Sequence, residues 1–474
     1  MITSFLLMFR QKMKLPPGPS LLFSQLLVLT HPLPQLQSLI KYLNSKYGPI
    51  LTLFIGTHPF VLAASLPPHT ALHGVYSVTI SSPLSCTLQT SNPTPASARK
   101  WTLCIMINHL REQQETLGTV NVVDHIELAM LRLSSLMCFG KKLEDRCIND
   151  IARIQDGLLL LAGSLIFNAI LVSRSLAKTL FRNKWKKFDQ LRKDQKELLV
   201  SLIKSRTEAS RSETKSEEEQ LVTYVDTLVK LHVPEEPATN RKAGKLTQKE
   251  IVSLCGEFLV VGTETTSSAL QWIMANLVKH PRIQHKLYDE IVAVVGPPPP
   301  LGVELESVIN EESLQKMKYL KAVVLEGLRR HPPGHMLLPH RVNEEVEVQG
   351  YMIPKGATIN FMVAEMGWDP EVWDDPMEFK PERFLTSNIN DGVFDIGGSK
   401  EMKMMPFGAG RRICPGADLA LLHLEYFVAN LIWYFEWSVP DGCHVDLTEK
   451  VKFTVIMNNP LQAIISSRTK TTNI

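Results

Sequence analysis

No two of the seven cysteines, at positions 86, 104, 138, 147, 255, 414 and 443, stand in a Cys-x-x-Cys arrangement, and their number is odd. That spacing excludes a disulfide framework and a zinc ribbon. Charge of one sign is also lacking, since 51 Lys and Arg against 48 Asp and Glu leave a net +3 over 474 residues. Nucleic-acid binding needs a clustered basic footprint, so no nucleic-acid partner is expected. Long apolar runs are missing too. Ile2 to Phe9 is apolar and is followed by Arg10, Lys12 and Lys14, which is the pattern of a signal anchor with a basic flank. It ends after fewer than half of the ~20 residues that a bilayer-spanning helix requires, and no cleavage site of the A-x-A kind follows. The expectation is membrane association through an anchor too short to span. What remains is ordinary globular composition, 44% hydrophobic and 21% charged. At roughly 150 residues per domain the length allows about three domains or one large enzyme fold.

Leu15-Pro16-Pro17-Gly18-Pro19 is stiff, because proline fixes φ and breaks helix, and it reads as a hinge between a leader (1–20) and the body (21–474). Within the body, apolar residues recur at helical spacing over Leu36 to Tyr47, Asp124 to Phe139, Lys184 to Ser205, Lys249 to Lys279, His285 to Val295 and Glu312 to Arg330. Alternating, strand-like pieces are short: Ile50 to Phe54, Pro59 to Ala63, Val346 to Val348 and Thr358 to Met362. The fold class is mainly α with small β-sheets. Arg206 to Gln220 and Pro234 to Gly244 are polar, lack periodicity and read as solvated loops. Gly157 to Val172 is the most apolar internal stretch and reads as a buried or interfacial helix pair. Ser77 to Ala98 is Ser/Thr/Pro-rich and fits neither helix nor strand, an aberrant length of structureless chain for a packed domain.

Three strings carry chemistry. In Phe407-Gly408-Ala409-Gly410-Arg411-Arg412-Ile413-Cys414-Pro415-Gly416, glycines allow a tight turn around a cysteine with cations beside it. Ala417 to Ile432 then reads as an apolar helix whose positive N-terminal dipole favours a thiolate. Glu326 and Arg329 share one face of a helix at i and i+3, and Phe379-Lys380-Pro381-Glu382-Arg383-Phe384 follows about fifty residues on. Val261-Gly262-Thr263-Glu264-Thr265-Thr266 puts poor helix formers in the middle of the longest helical pattern, where threonine hydroxyls can bond back to the preceding turn.

Together, in this order, these strings resemble the haem-thiolate monooxygenases, the cytochromes P-450, of the plant microsomal type. The resemblance covers nearly everything after Arg99 and implies a single haem-binding fold that is incomplete before residue 99. It implies haem b (iron protoporphyrin IX) with Cys414 as axial ligand and metal donor, Phe407, Gly408 and Gly410 shaping the loop, and Arg412 and His340 at the propionates. Thr265 matches the residue that hydrogen-bonds dioxygen and Glu264 the acid that relays protons. Glu326, Arg329 and Arg383 match a structural cluster. Substrate-lining positions would be Phe258, Leu259, Val261, Met336, Leu337 and Ile456, within the wider stretches His335 to Leu338 and Ile456 to Asn459; they are mostly apolar and favour a hydrophobic small molecule. The implied partner is an NADPH-dependent flavoprotein reductase, and the implied location the cytoplasmic face of the endoplasmic reticulum membrane. One family element is not found: the W-R-x-x-R helix, whose cations clamp a propionate, should stand where Ser77 to Ala98 lies. Two further readings follow, a relic that does not hold haem and a reductase-independent isomerase or dehydratase, the latter disfavoured by Glu264 and Thr265.

Overall fold

The computed structural model describes residues 15–20, 23–24, 33–55, 58–64, 96–172, 178–209, 222–233, 235, 243–300, 307–385, 396 and 402–469. The leader as far as residue 14, residues 77–95 of the aberrant segment and Cys86 lie outside them. In chain order the helices are α1 (Leu33–Tyr47), α2 (Ala96–Leu117), α3 (Val122–Phe139), α4 (Asp145–Val172), α5 (Arg182–Ala209), α6 (Tyr224–Lys230), α7 (Gln248–Lys279), α8 (Pro281–Val295), α9 (Glu311–Gln315), α10 (Lys318–Arg330), α11 (Val363–Gly367) and α12 (Ala417–Tyr434). The strands are β1 (Ile50–Ile55), β2 (His58–Ala63), β3 (Val120–Asn121), β4 (His232–Val233), β5 (Gly244–Lys245), β6 (His340–Arg341), β7 (Val346–Val348), β8 (Tyr351–Ile353), β9 (Thr358–Phe361), β10 (Phe435–Ser438), β11 (Glu449–Val451), β12 (Val455–Met457) and β13 (Gln462–Ser467). The mainly helical expectation is met.

α7 is the axis of the molecule. Thr247 and Glu250 start it with a reciprocal capping box, the Thr247 amide donating to Glu250 Oε2 at 2.7 Å and the Glu250 amide to Thr247 Oγ1 at 3.3 Å. Its C-terminal half is buried all round, with Trp272, Ile273, Met274 and Ala275 fully buried among α3, α10 and α12. The largest sheet has the order β1-β2-β9-β6; β2 and β9 run parallel, with Val61 opposite Ile359, and β6 pairs antiparallel so that His340 also faces Ile359. The proline stretch lies against this sheet: Leu15 is buried and the Thr52 amide donates to the Pro17 carbonyl at 2.9 Å.

Five expectations need correction. Gly157 to Val172 is one unbroken part of α4 and not a helix pair. Gly157 keeps α5 close, since a β-carbon there would stand 2.8 Å from Leu191 Cδ1. Arg206 is no loop residue: it is buried near the end of α5 and its guanidinium meets the Asp226 carboxylate at 2.6 Å. The pattern over Glu312 to Arg330 is two helices, yet Leu314, Met317 and Leu320 stay buried across the break, which is why the sequence reads as continuous. Ala96 to Ala98 belong to α2, and Gly244 pairs with Val233 in the short β4–β5 ladder. Among the described residues no helix is long and apolar enough to cross a membrane.

Candidate functional site

The cysteine loop is held by its own backbone. The Cys414 amide donates to the Phe407 carbonyl at 2.8 Å, Gly408 N–H to Met405 at 3.0 Å and Ile413 N–H to Gly410 at 3.1 Å. Gly408 and Gly410 have φ of +71° and +65°, left-handed conformations that a β-carbon would strain. Met404, Met405 and Ala409 are buried and tie the loop to the core. Ala417 N–H donates to the Cys414 carbonyl at 3.3 Å, so α12 starts directly behind the sulfur, as the sequence implies. Burial pushes the Cys414 thiol above its usual range, and the Gly416 amide pulls partly against that. The chain by itself therefore holds a protonated thiol at neutral pH, and a bound metal is what would take the proton off.

The donor set tests whether a metalloporphyrin suits this loop. Among the described residues no cluster of three or more His, Cys, Asp or Glu could hold a metal ion. Cys414 thus belongs to no such cluster, and a metal bound there must bring further ligands with it, as a macrocycle does. The surroundings agree: Leu337 lies against the loop, 3.9 Å from where a Gly408 β-carbon would be. His340 on β6 lies near Arg412; burial lowers the imidazole's basicity and the Arg412 cation lowers it further. The residues fit the group.

The N-terminal half of α7 differs from the rest of the helix. Val261 is 50% exposed, whereas positions 269–278 are buried. Thr265 Oγ1 donates to the Val261 carbonyl at 2.8 Å and Ser267 Oγ to Thr263 at 2.7 Å, the back-bonding expected of hydroxyls in mid-helix. Glu264 is pushed up to about 7, first by burial and then by the Glu127 and Asp156 carboxylates, with Lys452 pulling the other way. Glu127 accepts from Gln271 Nε2 at 3.2 Å. The acids on α3 and α4 are electrostatic neighbours of Glu264 that sequence reasoning misses, because no motif marks them.

Glu326, Arg329 and Arg383 come together. Arg329 forks onto Glu326 through Nε at 2.7 Å and a terminal nitrogen at 2.9 Å, and Arg383 Nε stands 3.2 Å from the same carboxylate. The Lys380 amide adds a bond to Glu326 at 2.7 Å, and Arg329 donates to the carbonyls of Gly367 and Glu378. Glu326 and Arg329 are almost wholly buried. The cluster therefore ties α10 to the segment leading to the cysteine loop.

The substrate-lining expectations divide. Val261, Leu337 and Ile456 are partly or largely exposed. Leu259 is 1% exposed and packs, with Phe258 beside it, in the apolar cluster joining α3, α5, α6 and α7; Phe258 stacks on Tyr224 at 4.5 Å. Leu259 is therefore buried in that cluster, whereas Phe258, like Leu337 and Ile456, is only partly buried. Met336 packs on the α1 and β1 cluster. His335 turns toward Glu449, its Nε2 3.1 Å from Oε2, and Asn459 is engaged by Asp446 at 2.6 Å.

Comparison with known proteins shows the family and the fold. The cytochrome P450 family model matches residues 100–465. Cytochrome P450 89A9 of Arabidopsis thaliana is 39% identical over 505 residues, covering 98% of this chain and 96% of that protein. That alignment is longer than the 474-residue chain, so the relative carries residues with no counterpart here. A flavonoid 3'-monooxygenase of Arabidopsis thaliana is 40% identical over 199 residues, 42% of this chain and 37% of that protein. A zebra fish cytochrome P450 solved with abiraterone shares the fold, with a TM-score of 0.67 at 20% identity over 91% of this chain and 99% of that one. On sequence and fold alike, the chain belongs to the cytochrome P450 family of haem-thiolate monooxygenases.

Proposed function

We propose that the chain inserts one oxygen atom from dioxygen into an apolar small molecule, drawing electrons from an NADPH-dependent flavoprotein reductase at the cytoplasmic face of the endoplasmic reticulum. The observation that carries this is Cys414, on a backbone-bonded loop at the start of α12 and, among the described residues, in no cluster of three or more metal donors. Haem b bound there supplies the dioxygen activation that no side chain offers. Cys414 would hold it through sulfur, with Phe407, Gly408 and Gly410 shaping the loop and Arg412 and His340 serving the propionates. Thr265 offers a hydroxyl on the exposed side of α7, and Glu264, near 7, keeps both protonation states populated at neutral pH, as a group that takes up and passes on protons should. Val261, Leu337 and Ile456 present apolar surface to substrate. The relative named as a flavonoid 3'-monooxygenase supports oxygen insertion as the reaction class.

Reduction of the purified chain under carbon monoxide tests this. A strongly red-shifted Soret band should form and vanish in Cys414→Ala; a band that survives would mean another ligand. The second reading, a folded relic without haem, is favoured by one observation: the family match starts only at residue 100. Chain that carries no haem after expression with a haem precursor would decide for it.

A further inference from the structure

The β11–β12 hairpin, which carries Ile456, is fixed from behind by a closed circuit of buried groups. At its first residue, Glu449 Oε1 accepts from His331 Nδ1 at 2.8 Å. On the opposite strand the Val455 carbonyl accepts from Ser268 Oγ at 2.7 Å and from Trp272 Nε1 at 2.8 Å, both on α7. The Val455 amide donates to the Pro333 carbonyl at 2.8 Å, just past the end of α10. The Trp272 indole closes the circuit by stacking on the His331 imidazole, centroids 4.1 Å apart and planes within 4°. Trp272 and His331 have no exposed surface. Trp272 lies seven residues, two turns, beyond Thr265 on the same helix, and Ile456 is the next residue after Val455.

Chemistry makes the circuit directional. Among the described residues His331 Nε2 has no partner, so the ring keeps its one proton on Nδ1 and donates it to Glu449. Burial lowers the imidazole to about 4 and keeps it neutral. Burial would raise Glu449, but the hydrogen bond from His331 and the neighbouring His335 outweigh it and hold the carboxylate at about 2. Arg330 faces the same carboxylate. The latch thus stays ionised and closed throughout the neutral range.

We propose that Glu449, His331 and Trp272 are positioning residues that fix the substrate-facing hairpin to the helix bearing Thr265, and so set where an apolar ligand sits. This rests on the monooxygenase reading. The test uses the full chain and two variants, Glu449→Gln, which keeps shape but removes charge, and Trp272→Phe, which keeps the ring but removes the Val455 bond. Amide exchange across residues 451–457 should rise at least tenfold in both while residues 269–271 and 273–278 stay protected. 4-Phenylimidazole, an apolar azole probe, should bind about tenfold more weakly with the red-shifted carbon monoxide band intact. Unchanged exchange, or faster exchange with unchanged azole binding, overturns the proposal. A wild-type chain lacking the band sinks the monooxygenase reading and the ligand role with it, while hairpin exchange still decides the latch on its own.

Discussion

Gly327 on α10 and Ile273 on α7 stand so close that a β-carbon on Gly327 would lie 2.4 Å from Ile273 Cγ1. Ile273 is fully buried and β-branched, so it has little freedom to swing aside. Glycine inside a helix costs about 1 kcal/mol against alanine, which makes its presence a record of this contact. Because Glu326 is the preceding residue, the approach also sets the height of the Glu326 cluster against the helix that bears Thr265.

Gly327→Ala should therefore destabilise the fold by about 1–3 kcal/mol, the usual range for overpacking, although alanine is the better helix former. Ile273→Val in the same chain should return little of the loss, because it removes only Cδ1, 3.2 Å from that β-carbon, and leaves Cγ1 in place. Urea midpoints of the two variants check this. A Gly327→Ala chain as stable as wild type would place the helices farther apart than described.

Removing the Glu326 carboxylate strands two arginines. Glu326→Ala should cost about 3–5 kcal/mol, the range for breaking a buried ion pair. Arg383→Ala should cost less, since Arg383 has some exposed surface and Arg329 keeps its fork on Glu326 without it. Arg329→Lys should behave nearly as badly as Glu326→Ala, because an ammonium cannot reproduce the forked pair and the Gly367 and Glu378 carbonyl bonds together. The order of urea midpoints is the check, and an Arg383→Ala chain weaker than Glu326→Ala would reverse the reading.

The parts of this architecture that are local strings are legible in the sequence. The cysteine loop, the Glu326–Arg329 spacing and the Thr265 segment depend on residues within a turn or two, and the helices follow from period alone. What is illegible depends on partners far along the chain. Arg206 sits in a polar run and becomes buried only because Asp226 meets it. Glu449 looks like a surface acid beside Lys450 until His331, 118 residues away, turns its ring to it. Phe258 and Leu259 have the composition of a ligand wall, and the packing of α6 against them is a contact the sequence does not show.

Glu264 gives a pH signature that needs no cofactor. Its folded value, about 7, lies above the ordinary 4.5, so between those values the folded state binds more protons than the unfolded state. Stability should fall as pH rises from 4.5 to 7, with the full cost present above 7. Glu264→Gln removes the ionisation, so its melting temperature should exceed that of wild type at pH 8 and approach it at pH 5. A gap between the two that is constant from pH 5 to 8 would mean that Glu264 ionises normally.

Two buried histidines work in the opposite direction. Burial lowers His331 to about 4, and burial with the Arg99 cation lowers His423 to about 3. Both are neutral in the fold and both would charge in the unfolded chain near 6.5, so the unfolded state gains protons first as pH falls. Each should leave stability untouched above pH 7 and subtract about 2 kcal/mol at pH 5, with the loss continuing toward the folded values. His423 Nε2 has no partner among the described residues, so His423→Leu should lose little at pH 7 and be more stable than wild type at pH 5. His331→Leu should differ, because it also takes from Glu449 the His331 donor, leaving only the His335 contact, and weakens the fold at both values. Urea midpoints at pH 7 and 5 separate the two, and a His423→Leu chain with the wild-type pH dependence would show that this imidazole is already charged in the fold.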